Sequence, residues 1–332
     1  MISYLNNILK IIRWKNLAII SLSQIFIKFF FIDFFIQKDQ LLNENFVILL
    51  IVTILIAASG YIVNDIYDYN LDQINKPEKV VLGKFLKSRD AIIIYMMFNF
   101  LAIVLSIFLC MKIEQEIYIL VFLLIIYCLW LYSKKLKKYK TIGNILIAFF
   151  ISLSILNVPL FSYKNILSDD RFFVFLIICI FSVLAFLINL KREIIKDIED
   201  IEGDKIHKVK SLPIIFGTKK SKLVTIIIGI ILMFAISSLI TFQILILRSD
   251  LLLDVGGNQF SNPQIRGANY ISIIYMFIIL IMFFYVELLI LNATTKTNFT
   301  KVSKLLKYLM LLSLLSIPVF SLTHFYLWDN AN

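Results

Sequence analysis

The sequence predicts an all-α polytopic membrane protein, a bundle of nine transmembrane helices. Three observations carry this. Of its 332 residues, 60% are hydrophobic and 17% charged, with a mean hydropathy of +0.90, outside the range of soluble globular domains. The apolar residues gather into runs of about 16–25, the length that crosses about 30 Å of hydrocarbon. The 33 Lys and Arg residues fall between those runs or at their ends, with Lys28 the one deep exception.

In chain order the predicted spans are 17–36, 46–63, 91–111, 117–132, 142–161, 172–190, 223–247, 270–291 and 305–327. The first follows Lys10, Arg13 and Lys15 and has no small-residue cleavage site after it, so it reads as a retained span and not a removed signal peptide. Lys28 within it calls for a contact inside the bundle or for snorkelling along its stem. The second span ends at Asn64, where an acidic stretch begins. Asn99, Asn157 and Asn189 sit at helix depth in the third, fifth and sixth spans and are expected to hydrogen-bond between helices. Pro159 and Pro318 should kink or loosen the fifth and ninth. Cys110, Cys128 and Cys179 lie within apolar runs and read as packing residues, with neither a disulfide framework nor a zinc site. Two histidines, His207 and His324, are too few for a His-rich metal centre.

Charge alternates from loop to loop. The N-terminus and the stretches 64–90, 133–141, 191–222 and 292–307 hold 26 of the 33 cationic residues, and the other four loops hold six. By the positive-inside rule the N-terminus is cytoplasmic, in the cell (inner) membrane, and the C-terminus lies on the other side. The formal net charge of +11 is then a topology signal and an attraction to anionic membrane lipids, with no nucleic acid implied.

Two acidic clusters share one spacing, Asp-x-x-Asp-x-x-x-Asp. The first is Asn64-Asp65-Ile66-Tyr67-Asp68-Tyr69-Asn70-Leu71-Asp72, and the second places Asp197, Asp200 and Asp204 in the same register. Positions i, i+3 and i+7 fall on one face of a helix. Carboxylates beside so much apolar sequence are costly unless something cationic neutralises them. Two stripes facing each other from one side of the membrane suit Mg²⁺, which takes hard oxygen ligands from one or two carboxylates and from substrate phosphates. The expected metal ligands are Asp65, Asp68, Asp72, Asp197, Asp200 and Asp204, of which Asp68, Asp72, Asp200 and Asp204 would be catalytic. A diphosphate held there becomes a good leaving group, because the metal stabilises the charge that develops as its C–O bond breaks. Asn64, Lys79, Lys135, Arg192 and Lys210 flank the stripes and are the expected diphosphate contacts. Asn144, after the basic 133–141 loop, reads first as a plain helix-start residue and second as a candidate for acceptor contact.

At these residues the chain resembles the UbiA superfamily of intramembrane prenyltransferases. The first signature of that family, Asn-Asp-x-x-Asp-x-x-x-Asp, is met by Asn64, Asp65, Asp68 and Asp72, and the second, Asp-x-x-x-Asp, by Asp200 and Asp204. The resemblance implies one UbiA-like membrane domain over residues 1–332, with its active site at the cytoplasmic face. It also implies a reaction. An isoprenyl diphosphate lies with its tail among the helices, its diphosphate is clamped through Mg²⁺, and an acceptor captures the allylic carbocation left by ionisation. Ile74-Asn75-Lys76-Pro77 and the stretch Arg192–Asp204 look most like the branch that transfers a geranylgeranyl group to geranylgeranylglyceryl phosphate, in ether-lipid (phospholipid) biosynthesis. That branch commonly continues with Arg-Pro and a Ser-Gly turn, where this chain has Glu78-Lys79-Val80-Val81-Leu82-Gly83-Lys84. An aromatic acceptor, as in quinone or tocopherol pathways, is therefore the alternative. A cation or phosphometabolite transporter is a more remote reading, because the acids lie at one side of the membrane.

Overall fold

The computed structural model describes residues 2–35, 43–75, 80–136, 139–162, 169–206, 208–255 and 270–329. Among them, nine helices are long and apolar enough to cross a membrane, and the chain is an integral membrane protein. A short helix α1 (Ile2–Ile11) precedes α2 (Trp14–Ile27), which passes through a π-helical turn (Lys28–Ile32) into α3 (Asp33–Phe35). The remaining spans lie in α4 (Asn43–Asn75), α5 (Ser88–Lys112), α6 (Ile119–Lys134), α7 (Lys140–Ser162), α8 (Asp169–Glu199), α11 (Thr218–Val255), α12 (Tyr270–Asn292) and α13 (Lys296–Asp329). Two short helices, α9 (Ile201–Ile206) and α10 (Leu212–Phe216), follow the sixth span.

Helix α8 is the shared wall of the bundle. On one side it packs against α7, and on the other against α11 and α13. Accordingly there are two apolar cores. The first contains Phe46, Val52, Phe122, Val158 and Ile178, and the second contains Ile195, Leu232, Phe283, Ile290 and Leu306. Large apolar side chains such as Phe100, Phe234 and Ile281 face outward, as expected of helices bathed in lipid rather than water.

Polar side chains join the helices where apolar packing alone gives no register. Gln24 donates to Thr53 Oγ1 at 3.1 Å and to the Ser154 carbonyl at 2.8 Å, tying α2 to α4 and α7. Ser59 donates to Asn99 Oδ1 at 3.0 Å, so Asn99 does bond between helices. Asn189 instead donates to the Ala185 carbonyl of its own helix at 2.8 Å. Lys28 is 2% exposed, and its ammonium meets Asp33, five residues on in the same helical run, at 2.5 Å. Helices α7 and α13 both continue through Pro159 and Pro318.

A second ion pair is deeper. Lys191 of α8 and Glu287 of α12 are both buried and hydrogen-bonded to each other. Gly229 of α11 faces them so closely that a Cβ there would collide with the Glu287 carboxylate and the Lys191 ammonium. The missing side chain is what lets three helices close around one ion pair. Neither Lys191 nor Glu287 lines either of the two cavities described below.

Two of the acidic stretches are helical rather than looped. Helix α4 runs through Asn64, Asp65 and Asp68, and α8 runs through Lys191, Arg192, Lys196 and Asp197. After α4 the chain folds back over its own base. Val81, Leu82 and Leu86 pack with Ile11, Ile62 and Ala91. The turn there needs Gly83, whose φ of +77° is left-handed and whose Cα lies so near the Tyr69 ring that a Cβ would sit 2.5 Å from its hydroxyl.

Candidate active site

Five helix ends meet at one end of the bundle. The C-terminal parts of α4 and α8 bring acids, and the N-terminal parts of α2, α7 and α13 bring cations and amides. Between them lies a cavity of about 320 Å³. Asn64, Asp68, Arg192, Asp197 and Asp200, all expected at the site from sequence, are on its wall. Asn64 donates to Asp68 Oδ2 at 3.1 Å, one helical turn on, which orients the first motif. Asp68 and Asp197 are buried.

The second motif is held by α7. Lys140, the first residue of that helix, donates to Asp204 Oδ1 and Oδ2 at 2.9 and 2.7 Å and lies 3.4 Å from Asp197 Oδ1. Asn144, one turn further, donates to Asp197 Oδ2 at 2.7 Å. Asn144, on the cavity wall, therefore holds a motif carboxylate, a role beyond that of a helix-start residue. The stripe Asp197, Asp200, Asp204 is interrupted where α8 ends at Glu199 and α9 begins at Ile201. Asp197 and Asp200 stay on the cavity, whereas Asp204 turns fully into the protein against Lys140.

Asp65 is also off the cavity wall. It accepts from Arg13 at 2.8 Å, and the Arg13 guanidinium lies 5.0 Å over the Tyr61 ring. Arg13 caps α2 in a left-handed conformation, φ 52° and ψ 51°. Such backbone is costly for a side chain with a Cβ and is characteristic of functional positions. Asp72 is in α4, but its side chain lies outside the described residues, as does Lys79. Lys135 and Lys210 are exposed and not on the wall, with the Lys210 ammonium 5.4 Å from the Tyr139 ring.

Sequence reasoning missed Arg13, Asn16, Lys140, Glu193, Lys196 and Lys307, all of which line the cavity. Glu193 ties Lys196 at 2.5 Å and Arg192 at 3.3 Å. Lys307 donates to Asn16 Oδ1 at 2.7 Å, joining α13 to α2. A readable signal existed for several of them. Arg13 and Asn16, or Lys140 and Asn144, are a cation and an amide one turn apart at the start of a span, which places both on one face.

The charges run against the helix dipoles. Arg13 and Lys140 stand at positive N-terminal ends, and Asp197 stands in the last turn of α8, at a negative one. These positions do not serve helix stability.

Below the polar end the cavity becomes apolar, with Phe122, Leu129, Ile147 and Phe150 in its wall. It shares Ile19, Ile20, Ile151, Asn189 and Met310 with a second, almost wholly apolar cavity of about 120 Å³ between α8, α11, α12 and α13. The arrangement suits a long amphiphile with an anionic head and a hydrocarbon tail.

A family model for the UbiA prenyltransferase family matches residues 27–253. The chain belongs to the UbiA prenyltransferase family. It is an enzyme that transfers prenyl groups. This UbiA prenyltransferase is 30% identical over 322 residues to the digeranylgeranylglyceryl phosphate synthase of Methanocaldococcus jannaschii, covering 95% of this chain and 96% of that one. A solved structure of digeranylgeranylglyceryl phosphate synthase in membranes superposes with a TM-score of 0.64 at 28% identity, over 96% of this chain and 99% of that chain. The fold also matches a UbiA homologue from Archaeoglobus fulgidus bound to GPP and Mg²⁺, with a TM-score of 0.52 at 15% identity, over 94% and 99% of the two chains.

Proposed function

We propose that this single-domain enzyme transfers a geranylgeranyl group from its diphosphate to geranylgeranylglyceryl phosphate, with Mg²⁺, in ether-lipid synthesis. The observation that carries the proposal is one cavity with both acidic motifs at its polar end and an apolar continuation below, in a chain alike over nearly its whole length to a digeranylgeranylglyceryl phosphate synthase. The alternating loop charge supports a site at the cytoplasmic face of the cell membrane.

The donor set fits Mg²⁺ in chemistry. Asp68, Asp197 and Asp200 offer hard carboxylate oxygens on one wall, although no group of three acidic, His or Cys side chains converges on one point among the described residues. Magnesium takes one or two carboxylates and completes its shell with water and phosphate oxygens. Asp65, Asp72 and Asp204 belong to the same clamp by sequence. Asp65 and Asp204 reach it through the cations they hold, Arg13 and Lys140. When bound, Mg²⁺ supplies neutralisation of the charge that builds on the departing diphosphate.

The residues of the chain do the rest. Asn64 and Lys140 present donors to the diphosphate, and Asn144 keeps Asp197 turned toward the cavity. Apolar walls exclude water while the donor C–O bond breaks and its electron pair leaves with the diphosphate. Tyr61, Phe122 and Tyr132 provide aromatic faces for the allylic cation. The acceptor hydroxyl oxygen then bonds to the allylic carbon, and a motif carboxylate takes its proton.

The test is a purified-protein assay offering labelled geranylgeranyl diphosphate to geranylgeranylglyceryl phosphate and to an aromatic acid acceptor. Label in the diether phosphate is expected. Label in the aromatic product alone would overturn the acceptor assignment.

A further inference from the structure

We propose that Lys307 and Arg192 form a second anion seat in the cavity, which binds the phosphate monoester of the acceptor. The inference rests on the acceptor proposed above. The cavity wall carries five cations: Arg13, Lys140, Arg192, Lys196 and Lys307. Three are neutralised where they stand. Arg13 is held by Asp65, Lys140 by Asp197 and Asp204, and Lys196 by Glu193.

The other two are not fully used. The ammonium of Lys307 has a neutral partner among the described residues, the Asn16 amide oxygen at 2.7 Å. It belongs to a span-length helix, one turn from Met310, which lines both cavities. A cation in such a place is costly unless an anion joins it. Arg192 spends one guanidinium nitrogen on Glu193 at 3.3 Å, and its Nε is buried with no acceptor among the described residues. A buried guanidinium donor without an acceptor points to an absent ligand oxygen. Helices α8 and α13 pack against each other, so both groups belong to one side of the chamber.

Asp197 and Asp200 lie beyond Arg192, toward and past the C-terminal end of α8, and line the same cavity as Asp68 and Lys140. A diphosphate with its metal suits those carboxylates. A phosphate monoester, with about −1.5 to −2 charge and three acceptor oxygens, suits Lys307 and the guanidinium of Arg192. Arg192, expected from sequence at the diphosphate, is assigned here to the acceptor.

The experiment compares geranylgeranylglyceryl phosphate with its dephosphorylated alcohol as acceptors, in wild type and in Lys307→Met. Loss of one charged hydrogen-bond partner should raise KM for the phosphorylated acceptor about tenfold to a hundredfold. KM for geranylgeranyl diphosphate should hold at the wild-type value, and the variant should no longer prefer the phosphorylated acceptor. Lys307→Arg should restore most of the preference. Asn16→Ala, which keeps the cation but releases it, should give a smaller rise of the same kind and serves if Lys307→Met does not insert. An unchanged KM for the phosphorylated acceptor, an equal loss with both acceptors, or a rise in donor KM would overturn the seat. Wild-type protein that prenylates no glycerol phosphate would instead sink the proposed function, and the seat with it, before any variant is made.

Discussion

Replacing Lys140 by Ala should destabilise the fold as well as slow the reaction. The Lys140 ammonium is the one cation paired with Asp204 among the described residues, and Asp204 is 0% exposed. Its two hydrogen bonds, 2.9 and 2.7 Å, are short and charge-assisted, whereas the 3.4 Å approach to Asp197 is looser and shared with Asn144. Removing one partner of a buried ion pair costs about 3–5 kcal/mol, because the other charge is left without compensation. Two carboxylates lose their cation here, so the upper half of that range is expected. Thermal unfolding in detergent, followed by loss of the monodisperse species, measures it. The decisive comparison is the double variant Lys140→Ala with Asp204→Asn. Neutralising the orphaned carboxylate should return much of the lost stability, a coupling that independent sites would not show. Equal melting of wild type and Lys140→Ala, or simple addition of the two losses, would refute the reasoning.

Two other outcomes follow from the geometry. Asp68→Ala and Asp200→Ala should each lower turnover by at least about a hundredfold while the protein still inserts, and a chelator should stop wild-type turnover. Near-wild-type transfer by either variant, or metal-independent turnover, would count against the clamp. Gly229→Ala should cost about 1–3 kcal/mol by overpacking, since its Cβ would press on the Lys191–Glu287 pair. An unshifted melting curve would mean that α11 does not close on that pair.

The sequence conveyed the bundle well because hydropathy is a property of length and composition. All nine spans appear, and the differences lie at their ends. The expected spans 46–63 and 172–190 stop at the first polar residues, but the helices carrying them continue to Asn75 and Glu199. Hydrogen bonding along a helix does not stop where lipid does; Lys and Arg are good helix formers in water, and Asn and Asp cost only about 0.7 kcal/mol each relative to Ala. For the same reason α13 begins at Lys296, ahead of the expected 305. Within the site, spacing was enough to find Asp68, Asp197 and Asp200, because residues on one helix face stay together. The motif spacing does not reach Lys140, Arg13 or Lys307, which come from three other helices; the cation–amide pairs at span starts mark the first two, and nothing in the spacing marks Lys307. Nor could it show Asp204 turning inward, since that depends on the break between α8 and α9 and on a lysine 64 positions away.

The opposition between the site charges and the helix dipoles has a consequence for how binding and folding are linked. Each such placement costs the empty protein about 0.3–1 kcal/mol, and the π-turn and left-handed Arg13 add local strain of their own. On the proposed function, Mg²⁺ and two substrate anions would bring charges of both signs to the same cavity and offset that cost. Ligand that binds only the folded form deepens its well by RT ln(1 + [L]/Kd). On the proposed function, the prenyl diphosphate and its acceptor would therefore stabilise the enzyme in proportion to their free concentrations.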